Sequence, residues 1–313
     1  MLSYIVRRLL YAIPTLIGVL VVTWLLFFRT AAPEVIARRN LSARAPTQEQ
    51  IQSWIKDHGY DKPPAEQLRK STIDMMLFNF GKSDATKEDI KERIAKGMGP
   101  SFAIGFTSFF GTVCFAIIFA AIAAYFRGTY VDGLTTILCV ILMSIVYMVY
   151  IIGFQFVFCK LLRLGPTWGF DPDQGIFKYI IIPTIIGVVA GLATEIRLYR
   201  TFLLEETSLD YVRTARAKGV PEPLVLLKHV LKNAMIPILT NTVAVLPGLI
   251  LGSLLLENFF GIPGLGSYLV EAINANDFSV VRAMVFLGTL LYIIGLILTD
   301  IAYAMVDPRV RLG

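Results

Sequence analysis

The sequence predicts an all-α, polytopic membrane protein with six transmembrane helices and an external helical lobe. Three observations predict it. Of 313 residues, 56% are hydrophobic and only 17% charged, against about 45–50% and 25% in soluble domains. Mean hydropathy is +0.66, too high to hide in one soluble core. Six charge-free apolar runs punctuate the chain, each near the roughly 20 residues that cross hydrocarbon as a helix. A soluble globular enzyme, a disordered chain and a coiled coil are excluded.

The runs are 9–28, 97–126, 133–159, 179–194, 233–256 and 283–299. The fourth and sixth are short, so those spans include or closely flank Glu195 and Asp300. The first run exceeds a signal-peptide core of about 7–15 residues, so it reads as a retained helix. With the N-terminus inside, the short inner loops hold Arg7, Arg8, Arg127, Arg197, Arg200, Arg213, Arg216, Lys218, Lys228, Lys232, Arg309 and Arg311. The short outer loops hold only Lys160, Arg163, Lys178 and Arg282. Both termini are therefore expected in the cytoplasm and 29–100 outside. The net charge of +6 is then topology, not nucleic-acid binding. Cys114, Cys139 and Cys159 form no C-x-x-C, and His58 and His229 no metal motif; the cysteines read as small packing residues. Three parts follow: an N-terminal transmembrane helix (1–28), an external helical lobe (29–100) and a five-helix membrane core (101–313).

In the lobe, Thr47-Gln48-Glu49-Gln50 fits a capping box. Ile51, Trp54 and Ile55 give a helical stripe that Gly59 closes. A second helix is expected over about 86–96, with Ile90 and Ile94 on one face and Gly97 after it. These stripes are too small for an independent core, so the lobe is expected to cap the membrane domain or to dock an external partner.

The inner loop 197–233 reads as helix, turn, helix. Asp210 and Arg213 are i, i+3 neighbours. Gly219 supplies a left-handed stop, Pro221 cannot continue a helix and Pro223 suits a first turn. Leu224, Leu227, Val230 and Leu231 form an apolar stripe. The elbow Thr214-Ala215-Arg216-Ala217-Lys218-Gly219 is made of small residues and suits a groove on another protein. An amphipathic connector would look similar.

TARAKG at 214–219, followed by HVLKNAMIP, resembles the cytoplasmic loop of ATP-binding-cassette (ABC) importer permeases, closest to the dipeptide/oligopeptide/nickel branch. The opening helix MLSYIVRRLLYAIPTLIGVLVVTWLLFF, DKP at 61–63, FGKS at 80–83, LLLENFFGIPGLGSYLVEAINANDFSVV and the closing DIAYAMVDPRVR are similar to that family in the same order. The resemblance covers nearly the whole chain. Arg213-Thr214-Ala215 stands where the broader motif has Glu-Ala-Ala, and Lys232 where many permeases have proline; both are usual in the peptide branch. TAAPEV replaces a more usual Pro-Gly-Asp-Pro stretch, and Leu296 stands where an Asn is common.

The resemblance implies that Asp210, Tyr211, Ala215, Ala217, Lys218 and Gly219 belong to a coupling region seated on a separate ATPase subunit. It also implies a second homologous permease, two ATPase subunits or domains, an external substrate-binding protein, a bacterial inner-membrane location and peptide cargo, with nickel chelates or opines as alternatives. No G-x-x-x-x-G-K-[ST] occurs, so ATP and Mg belong on the partners and no cofactor is expected in this chain. It is not expected to be an enzyme by itself.

Glu195 and Asp300 are pore or structural carboxylates on this reading, since an intramembrane carboxylate is costly. A proton-coupled secondary transporter would use one of them. A membrane-embedded enzyme would need a catalytic constellation, and none is visible. FFGIPGLG at 259–266 is expected to break the helix near the outer mouth.

Overall fold

The computed structural model describes residues 2–29, 32–41, 46–249 and 253–306. Among them, five helices are long and apolar enough to cross a membrane, and six if one bent pair counts as a span. α1 is Leu2–Arg29. The lobe follows as α2 (Pro33–Asn40), α3 (Gln48–Asp57) and α4 (Pro64–Met76). The capping box forms as expected: Gln50 N donates to Thr47 Oγ1 at 3.3 Å and Thr47 N to Gln50 Oε1 at 3.0 Å. Ile51 and Trp54 pack on Ile36 and Ala37, and Gly59 ends the helix at φ +70°.

The separate helix expected at 86–96 does not exist. Lys82 and Asp89 make an antiparallel bridge, and Asp89 caps a helix, α5, that runs unbroken over Ile90–Tyr125. Gly97 does not stop it. A Cβ there would meet the Gly264 backbone at 3.2 Å, so this glycine serves a close crossing.

The third run is a broken pair. α6 (Tyr130–Ser144) and α7 (Tyr147–Phe154) meet at a bend of 94°. Ile145 and Val146 are extended there, and Tyr150 Oη donates across the break to the Leu142 carbonyl at 2.6 Å. α7 widens into a π-turn over Gln155–Leu161.

α8 is a single helix, Ile176–Thr207. It lies parallel to α5, with Thr107 on Thr184 (Oγ1–Oγ1 2.8 Å), Ser108 at Gly187 and Thr112 at Gly191. Without a hydrophobic force between helices in lipid, small residues that let backbones approach are what hold such a pair. α9 (Asp210–Ala217), the single turn α10 (Glu222–Leu224) and a π-turn over Val225–Val230 lead into α11 (Leu231–Leu249). The expected break at 259–266 separates α12 (Leu254–Phe260) from α13 (Leu265–Asn274). α14 (Phe278–Val306) packs along α11 and α1.

Alternation of the helices puts the lobe and the α12–α13 turn at one end of the bundle and the α9–α10 hairpin at the other.

Candidate functional site

Two features stand out from the bundle, a cavity among the long helices that carries several hydroxyls on a mainly apolar wall, and the hairpin. The cavity holds about 340 Å³ and is walled by α5, α8 and α11. Its polar lining is Ser108, Thr112, Thr194, Glu195, Tyr199 and Thr242, with Tyr147 and Ser253 also contributing. Glu195 accepts from Asn241 Nδ2 at 3.0 Å, and Tyr199 Oη lies 3.0 Å from Thr242 Oγ1. Thr112 and Thr242 also bond carbonyls one turn back, which satisfies their hydroxyls inside the helices. Gly187 and Gly191 also line the cavity, and each admits a side chain of α5, Ser108 and Thr112 respectively. The hydroxyls and Glu195 thus face a space shared by three long helices.

Of the two carboxylates singled out in the sequence, Glu195 lines this cavity. Asp300 sits half-buried on α14 and is not part of the lining. The hydroxyls were missed. Their signal was Ser108 and Thr112 four apart in a charge-free run, one helical turn on one face. Asp132 was also missed: it receives a bidentate Arg200 at 2.7 and 2.8 Å, which pins the start of α6 to α8 just beyond the cavity.

The hairpin gathers the six residues of the expected coupling region within α9 and its cap. Asp210, Ala217, Lys218 and Gly219 are exposed. Gly219 takes φ +76° with nothing near its missing Cβ, and Val220 N closes back on the Ala215 carbonyl at 3.3 Å. Arg216 grips Glu222 across the elbow at 3.0 and 2.6 Å, while Arg213 and Asp210 pair loosely at 3.5 Å. Tyr211 donates to the Glu206 carboxylate; burial, and then that carboxylate, push its phenol up to about 12. Ala215 does not face outward. It is 6% exposed and packs with Val212, Val225 and Val230 beneath the hairpin, so its small size serves the hairpin's own core. The expected stripe is also only partly right. Val230 is buried, but Leu224 and Leu227 are about half exposed, at 51% and 57%. Val225 and Leu226 are buried instead. The π-turn at 225–230 shifts the face by about one residue.

At the opposite end, Glu257 is fully buried and accepts from Ser253 N, Gly266 N and Ser267 N at 3.1, 2.7 and 3.1 Å. Asp277 accepts from Ser83 Oγ at 2.5 Å, Ala85 N at 3.2 Å and Val280 N at 3.1 Å. Asp84 accepts from His58 Nε2 at 2.9 Å and Ser279 Oγ at 2.8 Å. Glu257 closes the α12–α13 turn on itself, while Asp277 and Asp84 fasten the lobe to the start of α14.

Comparison with known proteins fits this layout. A family model described as the binding-protein-dependent transport system inner membrane component matches residues 116–312. A Brucella abortus (strain 2308) protein, named for a peptide transport system permease, is 31% identical over 318 residues and covers 99% of each chain. Glutathione transport system permease proteins of Escherichia coli (strain K12) and Salmonella paratyphi A are 32% identical over 314 residues, again covering 99% of each chain.

Proposed function

This chain belongs to the binding-protein-dependent transport system inner membrane components, and from that premise we propose how it moves small peptides. It is a multi-pass permease subunit of an ABC importer and not itself an enzyme. In our reading it pairs with a second homologous permease in a bacterial inner membrane, with both termini in the cytoplasm and the lobe outside. An external binding protein delivers the peptide at the lobe end. Two ATPase subunits or domains, which hold ATP and Mg, receive the hairpin through Asp210, Tyr211, Ala217, Lys218 and Gly219, with Ala215 supporting that surface from beneath. The names of the relatives support peptide-sized cargo.

One observation carries the mechanism: the wall of the cavity and the stem of the hairpin are the same helix. α8 presents Glu195 to the cavity and continues to Thr207, three residues before α9 begins. Closure of the ATPases moves the hairpin, and α8 conveys that movement to the cavity wall, so the path opens alternately to the two sides. A ligand shifts such an equilibrium only through differential affinity for its states. Here the differential contacts lie on the ATPase side of the hairpin.

The test uses the assembled importer. Ala217→Trp places a bulky ring on the exposed face of the elbow and leaves the membrane helices unaltered. Stimulation of ATP hydrolysis by the loaded binding protein, and peptide uptake with it, are expected to collapse at normal expression. Cys139→Ser within α6 serves as control. Full stimulation in Ala217→Trp would remove the hairpin from the coupling path. Cysteines placed in 48–58 should react with an impermeant thiol reagent from outside; labelling only after the membrane is breached would reverse the orientation.

A further inference from the structure

Among the described residues, the cavity is lined by one acidic side chain and no basic one. Glu195 is that carboxylate, and no lysine, arginine or histidine is present in the described lining. Asn241 is its hydrogen-bond donor at 3.0 Å, and Tyr199 stands beside it. Among the described residues no lysine, arginine or histidine lies within ion-pair distance of it; the neighbouring Arg197 points away to Met143 Sδ at 3.5 Å. The other intramembrane-flanking carboxylate with a cation close by, Asp132, has Arg200 in bidentate contact. Glu257 and Asp277, which also lack a cation at ion-pair distance among the described residues, are each held by three hydrogen-bond donors in closed packing; Glu195 instead faces a cavity. A carboxylate at the inner part of a span is costly unless a cation or hydrogen bonds compensate it. The space in front of this one is open, about 340 Å³, and otherwise lined by hydroxyls and apolar groups.

We infer that Glu195 is the counter-charge for an ammonium group of the cargo, bound in the α5–α8–α11 cavity during passage. This rests on the peptide-permease reading above. Every unmodified peptide carries an α-ammonium, and a lysine side chain carries the same chemistry. Neutral Thr112, Thr194 and Thr242 line the same cavity and add no competing cation. Because the carboxylate is near the hairpin end of α8, the ammonium would be held late on the path, where the helix that holds it is also the one the ATPases move.

The experiment uses the whole importer in proteoliposomes with its binding protein and internal ATP. The probes are Ala-Ala-Ala, Ala-Lys-Ala and Ala-Glu-Ala, supplied singly and in competition. Glu195→Gln is expected to lower uptake about tenfold or more, and Glu195→Asp to recover most of it. An equal loss for all three peptides assigns the α-ammonium. A fall confined to Ala-Lys-Ala, read as a changed ratio to Ala-Glu-Ala, assigns the side-chain ammonium; that ratio does not depend on how much variant folds. Two results would overturn the inference: unchanged uptake and unchanged ratio in Glu195→Gln, or Glu195→Asp as impaired as Glu195→Gln, which marks a shape requirement and not a charge. Failure of the unaltered importer to take up any of the three with ATP would instead strike the peptide-permease reading.

Discussion

The two ends of the bundle are fastened by different physics. At the lobe end, buried polar side chains join residues 194 and 195 positions apart, Ser83 to Asp277 and Ser279 to Asp84, with Glu257 tying the α12–α13 turn to itself. At the hairpin end, the buried residues under α9 are Val212, Ala215, Val225, Leu226 and Val230, and the ion pairs Arg216–Glu222 and Asp210–Arg213 stay within the hairpin and largely exposed. Hydrogen bonds are directional and leave an unmet donor when broken; apolar packing tolerates small shifts more readily. The first end is specified as a shape. The second is a unit with its own internal bracing, seated on a greasy base.

If that contrast is right, the largest effect comes from Glu257. Glu257→Ala orphans two buried backbone donors, Gly266 N and Ser267 N, and a half-buried one, Ser253 N; at about 1–3 kcal/mol for each buried group, a loss on the order of 3 kcal/mol is expected. It would be read as a sharp fall in thermal stability of the detergent-solubilised protein. Asp277→Ala comes next, at about 2 kcal/mol. Its distinguishing sign is local: faster hydrogen exchange over 78–89 with the hairpin unchanged. If both ends loosen together, the contrast fails.

Gly219→Val is smaller for stability and larger for function. A β-branched residue at φ +76° costs about 1–2 kcal/mol. Thermal stability should drop modestly, while ATPase stimulation by the binding protein is lost because the elbow is reshaped. Equal stimulation to the parent would show that the elbow's conformation is not read by the partner.

The smallest effect is a pH dependence confined to the lobe. Burial alone would depress His58; the hydrogen bonds to Asp84 and the Trp54 carbonyl outweigh it and hold the imidazole above its ordinary value. Burial would likewise raise Asp84, but His58 and Ser279 bring its carboxyl below the usual range. A raised histidine contributes stability that is complete below about pH 6.5 and is lost as pH climbs through its folded value. A lowered aspartate contributes above about 3.9 and fades as pH falls through its folded value. The contact is therefore strongest in mildly acidic solution. Exchange of amides in α3 should quicken as pH rises past the histidine's value, after correction for intrinsic rates, and His58→Ala should erase that dependence. An unchanged profile in His58→Ala would detach the lobe's fastening from this pair.

Much of this architecture was legible in the residues. Spans showed as charge-free runs, the Thr47–Gln50 box and Gly59 bounded α3, and Gly219 marked the elbow because few other residues accept that backbone. What stayed hidden depended on distant partners. Gly97 looks like a helix end, yet α5 passes through it because Gly97 must admit the Gly264 backbone and Ser101 Oγ must accept from Leu265 N at 2.7 Å. The 94° bend at 145–146 has no glycine or proline to announce it. Glu257 marks the end of a charge-free run, and only the fold of 253–267 around it explains its burial. In the cavity, Glu195 was visible as a charge; its hydroxyl neighbours come from three helices and no local pattern joins them. The π-turn displaced the predicted apolar stripe by a register that spacing alone cannot supply.

The seam between α5 and α8 has a mechanical consequence. A Cβ added at Gly187 would fall 2.6 Å from Ser108 Oγ, and one at Gly111 2.7 Å from Val188 Cγ2. Side chains on one helix thus occupy notches in the other, like teeth in a rack. Sliding by one turn, about 5.4 Å, would carry Thr112 from Gly191 to the level of Glu195 and remove the notch. Longitudinal slip is blocked, and tilting of the two helices together is the soft direction. The stretch from Glu195 to Thr207 is about 18 Å long, so a tilt of about 10° translates to roughly 3 Å at its tip. A modest push at the hairpin reaches the cavity as a rigid rotation of its wall, with no slack in which to dissipate it.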